Sequence, residues 1–124
     1  MRGKTKKIVL WIVQIIVALI LLQTLFFKFT GAEEAKYIFS TIGIEPWGRY
    51  LVGILELIAG ILLFTNWALY GAILALIISV GAIFSHLTIL GVEVMGDNGL
   101  LFGMAIVVAI LSIFVIAMRW KKKK

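Results

Sequence analysis

The chain has 124 residues, of which 63% are hydrophobic and 15% charged, against roughly 45–50% and ~25% in ordinary globular proteins; its mean hydropathy is +1.15. A domain of this size has too little interior to hide so much apolar side chain from water, which excludes a soluble globule, and disorder is excluded by the same composition. There is no cysteine, so disulfides, thiol nucleophiles and Cys-ligated metal centres are excluded as well, and the net charge of +6 takes its meaning from where the charges lie.

Arg2, Lys4, Lys6 and Lys7 precede the first apolar run, Arg119 and Lys121 through Lys124 follow the last, and only Lys28, Lys36 and Arg49 lie between. Glu33, Glu34, Glu45, Glu93 and Asp97 fall in two internal stretches, and Glu56 stands alone inside an apolar run. Basic segments beside membrane spans mark the cytoplasmic side. Both termini are therefore expected there, which requires an even number of spans. The basic ends suit anionic lipid headgroups; no folded basic surface accompanies them, so nucleic acid is not an expected partner.

The first span is expected over residues 8–27. Its apolar run meets the ~20 residues a span needs and exceeds the ~7–15 of a signal-peptide core, so it reads as a retained signal anchor. Thr30 and Glu33 then have the spacing of a T-x-x-E capping box. Ala35, Ile38, Phe39 and Ile42 recur on one helical face, and Gly43 suits a C-cap. Residues 31–42 are too short to span and read as an amphipathic interfacial helix. Pro46 fits the first turn of a second span over 47–64. Thr65-Asn66-Trp67 is a tight break, forcing an antiparallel third span over 68–90. Gly91 to Asn98 is a loop closed by Gly96-Asp97-Asn98-Gly99, and Asp97 or Asn98 can cap a fourth span over 99–118. The expected fold is all-α: a single-domain integral membrane four-helix bundle over residues 1–124, with both termini cytoplasmic and a short amphipathic helix between spans one and two. Trp11, Trp67, Tyr70 and Trp120 at the inner boundaries, and Trp47 and Tyr50 at the outer, suit an interfacial aromatic belt.

Helical phase shows which polar residues can meet. Gly71, Ala75, Ser79, Ala82 and His86 lie within about 80° on span three, and Gly53, Glu56 and Gly60 within about 60° on span two. Gln14, Leu21, Thr24 and Lys28 share a face of span one, with Gln23 turned away. Gly53, Gly60 and Gly71, with the GxxxG pair Gly99 and Gly103, are expected to serve close helix packing, and Gln14 and Gln23 to join helices. Glu56 lies nine residues beyond Trp47, ~13 Å along the axis. Lys28, Glu56, His86 and Asn98, from four different spans, are therefore expected to converge in the outer half of the bundle.

An unpaired charge at the bilayer centre costs about 2.5–3.5 kcal/mol on the lenient insertion scale, and ionisable residues inside a membrane are functional by default. Lys28 is the natural partner of Glu56; His86 is the other, and a Glu–His pair would pass protons near neutral pH. Two structural readings stand beside this one. A Glu–Lys bridge can simply fix which helices are neighbours, and His86 can simply bond a nearby backbone group or Ser79. One histidine and one buried acid are too few for a metal site, and no hydrolase triad, phosphate loop or dinucleotide fingerprint occurs.

Phe27-Lys28-Phe29 closes span one, and Gly53-Ile54-Leu55-Glu56-Leu57-Ile58-Ala59-Gly60-Ile61-Leu62-Leu63 runs through span two. Gly71-Ala72 opens span three, Ser85-His86-Leu87 lies near its end, and Asn98-Gly99-Leu100 opens span four. In these residues the sequence resembles the DoxX family of small bacterial four-span membrane proteins. The resemblance implies a place in the bacterial inner membrane and a link to quinones or sulfur-compound redox, since relatives include a subunit of a thiosulfate:quinone oxidoreductase. It also implies Lys28, Glu56, His86 and Asn98 as ligand-binding or proton-relay residues. A fold like that of the quinone-reducing thiol oxidases is implied too, but the chain lacks their cysteines and their disulfide chemistry with them.

Two functions are thus expected in competition. In the first, the polar pocket binds a quinone or similar amphiphile in a redox-linked membrane system, without an independent catalytic motif. In the second, the chain is a non-catalytic accessory subunit of a larger membrane complex, or a homo-oligomer. A proton-coupled transporter would need at least a dimer.

Overall fold

The computed structural model describes residues 3–93, 96 and 99–123; it is 87% helical, with no strand among the described residues. Helix α1 runs Gly3–Thr30, α2 Glu33–Ile42, α3 Trp47–Leu63 and α4 Ala68–Ser85; α4 continues without a break into one turn of π-helix, His86–Leu90, and α5 runs Leu100–Lys123. Gly31 ends α1 at φ +73° and Gly43 ends α2 at φ +94°, left-handed conformations that cost glycine little.

The Thr30–Glu33 capping box does not form. Helix α1 persists through Phe29, so Thr30 is its last residue rather than a cap, and its hydroxyl donates back to the Phe26 carbonyl at 2.8 Å. Ala32 stands at the N-cap of α2 with no side-chain hydrogen bond. Residues Asp97 and Asn98, expected to cap α5, lie outside the described residues.

Three helical segments, Gly3–Thr30, Ala68–Leu90 and Leu100–Trp120, are long and apolar enough to cross a membrane. The fourth candidate is the pair α2 and α3, which meet at a 119° bend. Helix α2 therefore turns sharply away from the axis of α3, and it buries Ala35 and Phe39 while Glu33 and Lys36 stay exposed. That is the amphipathic pattern the periodicity indicates.

Helix α1 packs on α3 and α5, and α4 packs on α3 and α5. Cross-contacts fix the directions: Lys28 and Thr24 meet Glu56, Gln14 meets Leu63, and His86 meets Phe102. Neighbours are antiparallel, so the assembly has two poles. One gathers the end of α1, the start of α3, the π turn and the start of α5; it is called the Lys28 pole below. The other gathers the start of α1, the Thr65–Trp67 hairpin and the end of α5; it is the Arg119 pole.

Between the poles the interior is built from small residues. Ala18, Ala59, Ala68, Ala72 and Ala75 are fully buried with Val17, Leu63 and Val115. The closest approach is at Gly71, where an added Cβ would lie 2.8 Å from the Ala59 carbonyl oxygen and 2.9 Å from the Leu62 Cβ. Backbone cannot yield there, so Gly71→Ala is expected to cost about 1–3 kcal/mol by overpacking. Gly103 is the contrast. An added Cβ would meet nothing within 4 Å, and Gly103→Ala is expected to be neutral or to stabilise by up to about 1 kcal/mol through helix propensity. Thermal unfolding of the two variants side by side in one detergent checks both. The Gly99–Gly103 step is thus not a point of close helix approach here: Gly99 sits at φ +80° in a turn, its added Cβ nearest to Val92.

Only 33% of the most apolar window of α1, and 22% of those of α4 with its π turn and of α5, are buried. The remaining large apolar side chains, such as Ile12, Ile77, Phe84 and Ile110, face outward. In lipid that surface carries no penalty; in water it would.

Candidate functional site

At the Lys28 pole, Glu56 is 4% exposed, one face of a buried cluster between α1 and α3. Lys28 in the last turn of α1 places its Nζ 3.0 Å from Glu56 Oε1. One turn earlier, Thr24 Oγ1 lies 2.7 Å from Glu56 Oε2 and 2.9 Å from the Leu21 carbonyl. A hydroxyl has one proton to give, and with Oε2 the nearer of its two acceptors that proton serves Glu56. The shared phase of Thr24 and Lys28 makes this cluster, and Gln23 is exposed as that phase requires.

A second cation supports the first. Arg49, 4% exposed, donates from Nε to Glu45 Oε1 at 2.6 Å and from Nη1 to the backbone carbonyl of Lys28. That carbonyl belongs to the last turn of α1 and has no partner within its own helix. Arg49 thereby fixes the end of α1 to the start of α3. Its guanidinium also lies over the Tyr50 ring, 4.5 Å from the centroid. Tyr50 in turn stacks on Phe29, with centroids 6.4 Å apart and planes 28° from parallel. Gly53 makes room for this pair: an added Cβ would come within 2.9 Å of the Phe29 ring. Gly60 serves the same seam a further two turns along, facing Leu22. Arg49 is not singled out by the sequence, where its only signal is the i,i+4 spacing from Glu45.

His86 comes to the same pole but finds other partners. It is 4% exposed, its Nδ1 lies 2.9 Å from the Gly91 carbonyl oxygen, and its ring meets Phe102 of α5 edge-on at 5.5 Å. A carbonyl only accepts, so Nδ1 carries the proton, and in the neutral ring Nε2 is left as an acceptor. The π turn makes this contact: the Gly91 N–H bonds the His86 carbonyl five residues back at 2.8 Å, which brings the Gly91 carbonyl beneath the imidazole. Of the two local partners expected for His86, the backbone is the one used; the Ser79 hydroxyl donates instead to Leu76 at 3.0 Å. The structure thus joins Lys28 and Glu56 directly and sets His86 on the neighbouring helix pair, bonded to its own helix end. Asn98 lies outside the described residues.

A second buried polar group lies at the Arg119 pole. Gln14 is fully buried. Its Nε2 donates to the Leu63 carbonyl at 3.0 Å, and its Oε1 accepts from Arg119 Nε at 2.9 Å. Each partner can play only one part, so the amide orientation is fixed. Leu63 ends α3, and Gln14 serves the carbonyl there that the helix leaves free; the Leu62 carbonyl is served by Thr65. Arg119 Cζ lies 5.3 Å from the Trp11 ring centroid. Trp11 is therefore turned toward a cation, while Trp67, Tyr70 and Trp120 at the same pole are exposed.

Among the described residues no three His, Asp or Glu side chains are grouped to hold a metal ion. What the Lys28 pole offers chemically is an ammonium, a carboxylate, a hydroxyl and an imidazole acceptor beside two exposed stacked rings. Comparison with protein-family models, with characterised proteins and with solved structures finds no match to this chain.

Proposed function

We propose that the chain is a DoxX-like protein of the bacterial inner membrane, a four-helix bundle with both termini cytoplasmic, and that the Lys28 pole binds a quinone or similar amphiphile in a redox-linked membrane system. The observation that carries this reading is the buried Lys28–Glu56 pair, 3.0 Å apart, within apolar helices; ionisable groups at such depth are retained for function by default. The surrounding chemistry suits a quinone-class ring. The Lys28 side chain keeps 17% of its surface exposed and has N–H groups to offer a carbonyl oxygen. Phe29 and Tyr50 present aromatic faces beside it, and His86, whose Nδ1 is taken by Gly91, has Nε2 to offer a hydroxyl of the reduced ring. A bound quinone would supply the electron-carrying chemistry; the protein's own groups would orient the ring and hold protons at Glu56 and at His86 Nε2.

The test is to purify the protein in mild detergent from membranes containing quinone, extract the bound lipid fraction and quantify quinone per chain. Near-stoichiometric retention is expected for the unaltered protein, with a drop of about tenfold for Glu56→Gln or His86→Ala, the loss of one or two charge-assisted or buried hydrogen bonds. Retention equal in all three, with equal stability, would overturn the reading.

A second reading is favoured by one observation: Glu56 already has Lys28 and Thr24 as partners, so the cluster can serve as a lock between α1 and α3. The chain would then be a non-catalytic accessory subunit. Under that reading Glu56→Gln lowers the yield of assembled complex in native membranes and leaves quinone content unchanged.

A further inference from the structure

The two poles are electrically unlike. In the sequence every acid falls between Glu33 and Glu56 or is Glu93 or Asp97. The segments that build the Arg119 pole, residues 3–14, 63–72 and 112–120, contain no Asp or Glu. Into this acid-free pole a guanidinium is drawn: Arg119 is 9% exposed. Both of its contacts are neutral, the Gln14 amide oxygen at 2.9 Å and the face of Trp11. Its Nη2 is buried with no hydrogen-bond partner. Gln14 accepts from Nε and donates to Leu63, and it makes no bond to Nη2. A guanidinium stays protonated in proteins, and a charge removed from water needs a counter-charge. Among the described residues no Asp or Glu lies at this pole, which leaves the guanidinium able to take an anion from outside.

The route to it is the seam between α1 and α5, the least extensive of the four helix–helix contacts around the assembly. Lys4 and Lys7 are exposed and share the helical stripe of Trp11 and Gln14, at spacings of three and four residues. We propose that this seam is a binding site for the phosphate group of an anionic lipid. A phosphodiester oxygen would accept from the Arg119 guanidinium, and Lys4 and Lys7 would hold the headgroup above it. Arginine suits the role because its planar fork matches phosphate oxygens. The site is remote from the Lys28–Glu56 cluster and does not rest on quinone binding.

The full chain in a neutral detergent is titrated with phosphatidylglycerol, with phosphatidylcholine of the same acyl chains, or with inorganic phosphate at constant ionic strength. Retained lipid is read by native mass spectrometry and stability by thermal unfolding. One phosphatidylglycerol per chain is expected to be retained and to raise the Tm, with neither effect from the other two. Arg119→Gln is expected to weaken its apparent affinity about tenfold or more. Gln14→Glu supplies the missing carboxylate and keeps Arg119; it is expected to abolish the preference for the anionic lipid, and it decides the matter if Arg119→Gln does not fold. Equal retention of the two lipids, or a preference that survives both variants, would overturn the proposal in favour of diffuse attraction by surface lysines. Stabilisation by inorganic phosphate alone would overturn the lipid as the source of the group.

Discussion

Lys28→Met is expected to lower stability by about 3–5 kcal/mol, the cost of leaving one partner of a buried ion pair without the other. Glu56 is buried more deeply than Lys28, with side-chain exposures of 5% and 17%, so it is the carboxylate that is left stranded; Thr24 alone cannot neutralise it. Removing both charges is a different experiment. Lys28→Met with Glu56→Leu deletes the pair and its desolvation together, and such replacements are often neutral or stabilising. The double variant should therefore recover most of the loss. The measurement is a double-mutant cycle by reversible unfolding in mixed micelles. Additive single effects would mean that the 3.0 Å contact carries little energy. The cycle also bears on function, because a double variant that is stable but quinone-free separates ligand binding from the fold.

The second large effect is expected at Gln14. Gln14→Leu is close in volume and apolar, a benign change on most faces of a membrane helix. Here it strips the donor from the Leu63 carbonyl and the acceptor from Arg119 Nε, both buried. An orphaned buried group costs about 1–3 kcal/mol, more when charged, so a loss of about 2–4 kcal/mol is expected. Gln23→Leu is the matched control: Gln23 is exposed, and in lipid its replacement should be neutral or favourable. Equal behaviour of the two variants in thermal unfolding would remove the Gln14 network from among the forces that join α1, α3 and α5.

Much of this architecture is legible in the sequence, and the reasons are local. The breaks at Gly43 and Thr65–Trp67 are set by residues whose backbone preference or hydrogen bonding acts over three or four positions. The inward stripes, Gln14 through Lys28 on α1 and Gly71 through His86 on α4 and its π turn, follow from the helical repeat. The Lys28–Glu56 pairing is also within reach, because a charge at that depth leaves few choices of partner. What escaped depends on which helices are neighbours. Periodicity places Gln14 on the inner face of α1 but does not say that α5 brings Arg119 to it from 105 residues away. Arg119 reads in the sequence as one more basic residue at a membrane boundary; only the helix order turns it inward. The Thr30 cap failed for a related reason, since nothing in the Phe26–Thr30 segment tells α1 to stop before its last threonine. The π turn has no local signature beyond Gly91, whose backbone at φ +82° completes it.

That turn carries a consequence for how a proton could visit His86. The residue is clasped twice to Gly91, its carbonyl receiving the Gly91 N–H and its Nδ1–H reaching the Gly91 oxygen. Imidazolium keeps the Nδ1–H that the neutral tautomer already uses. Loading and unloading Nε2 therefore leaves both clasps closed, and the end of the helix is a hinge pin that does not register whether the ring is charged.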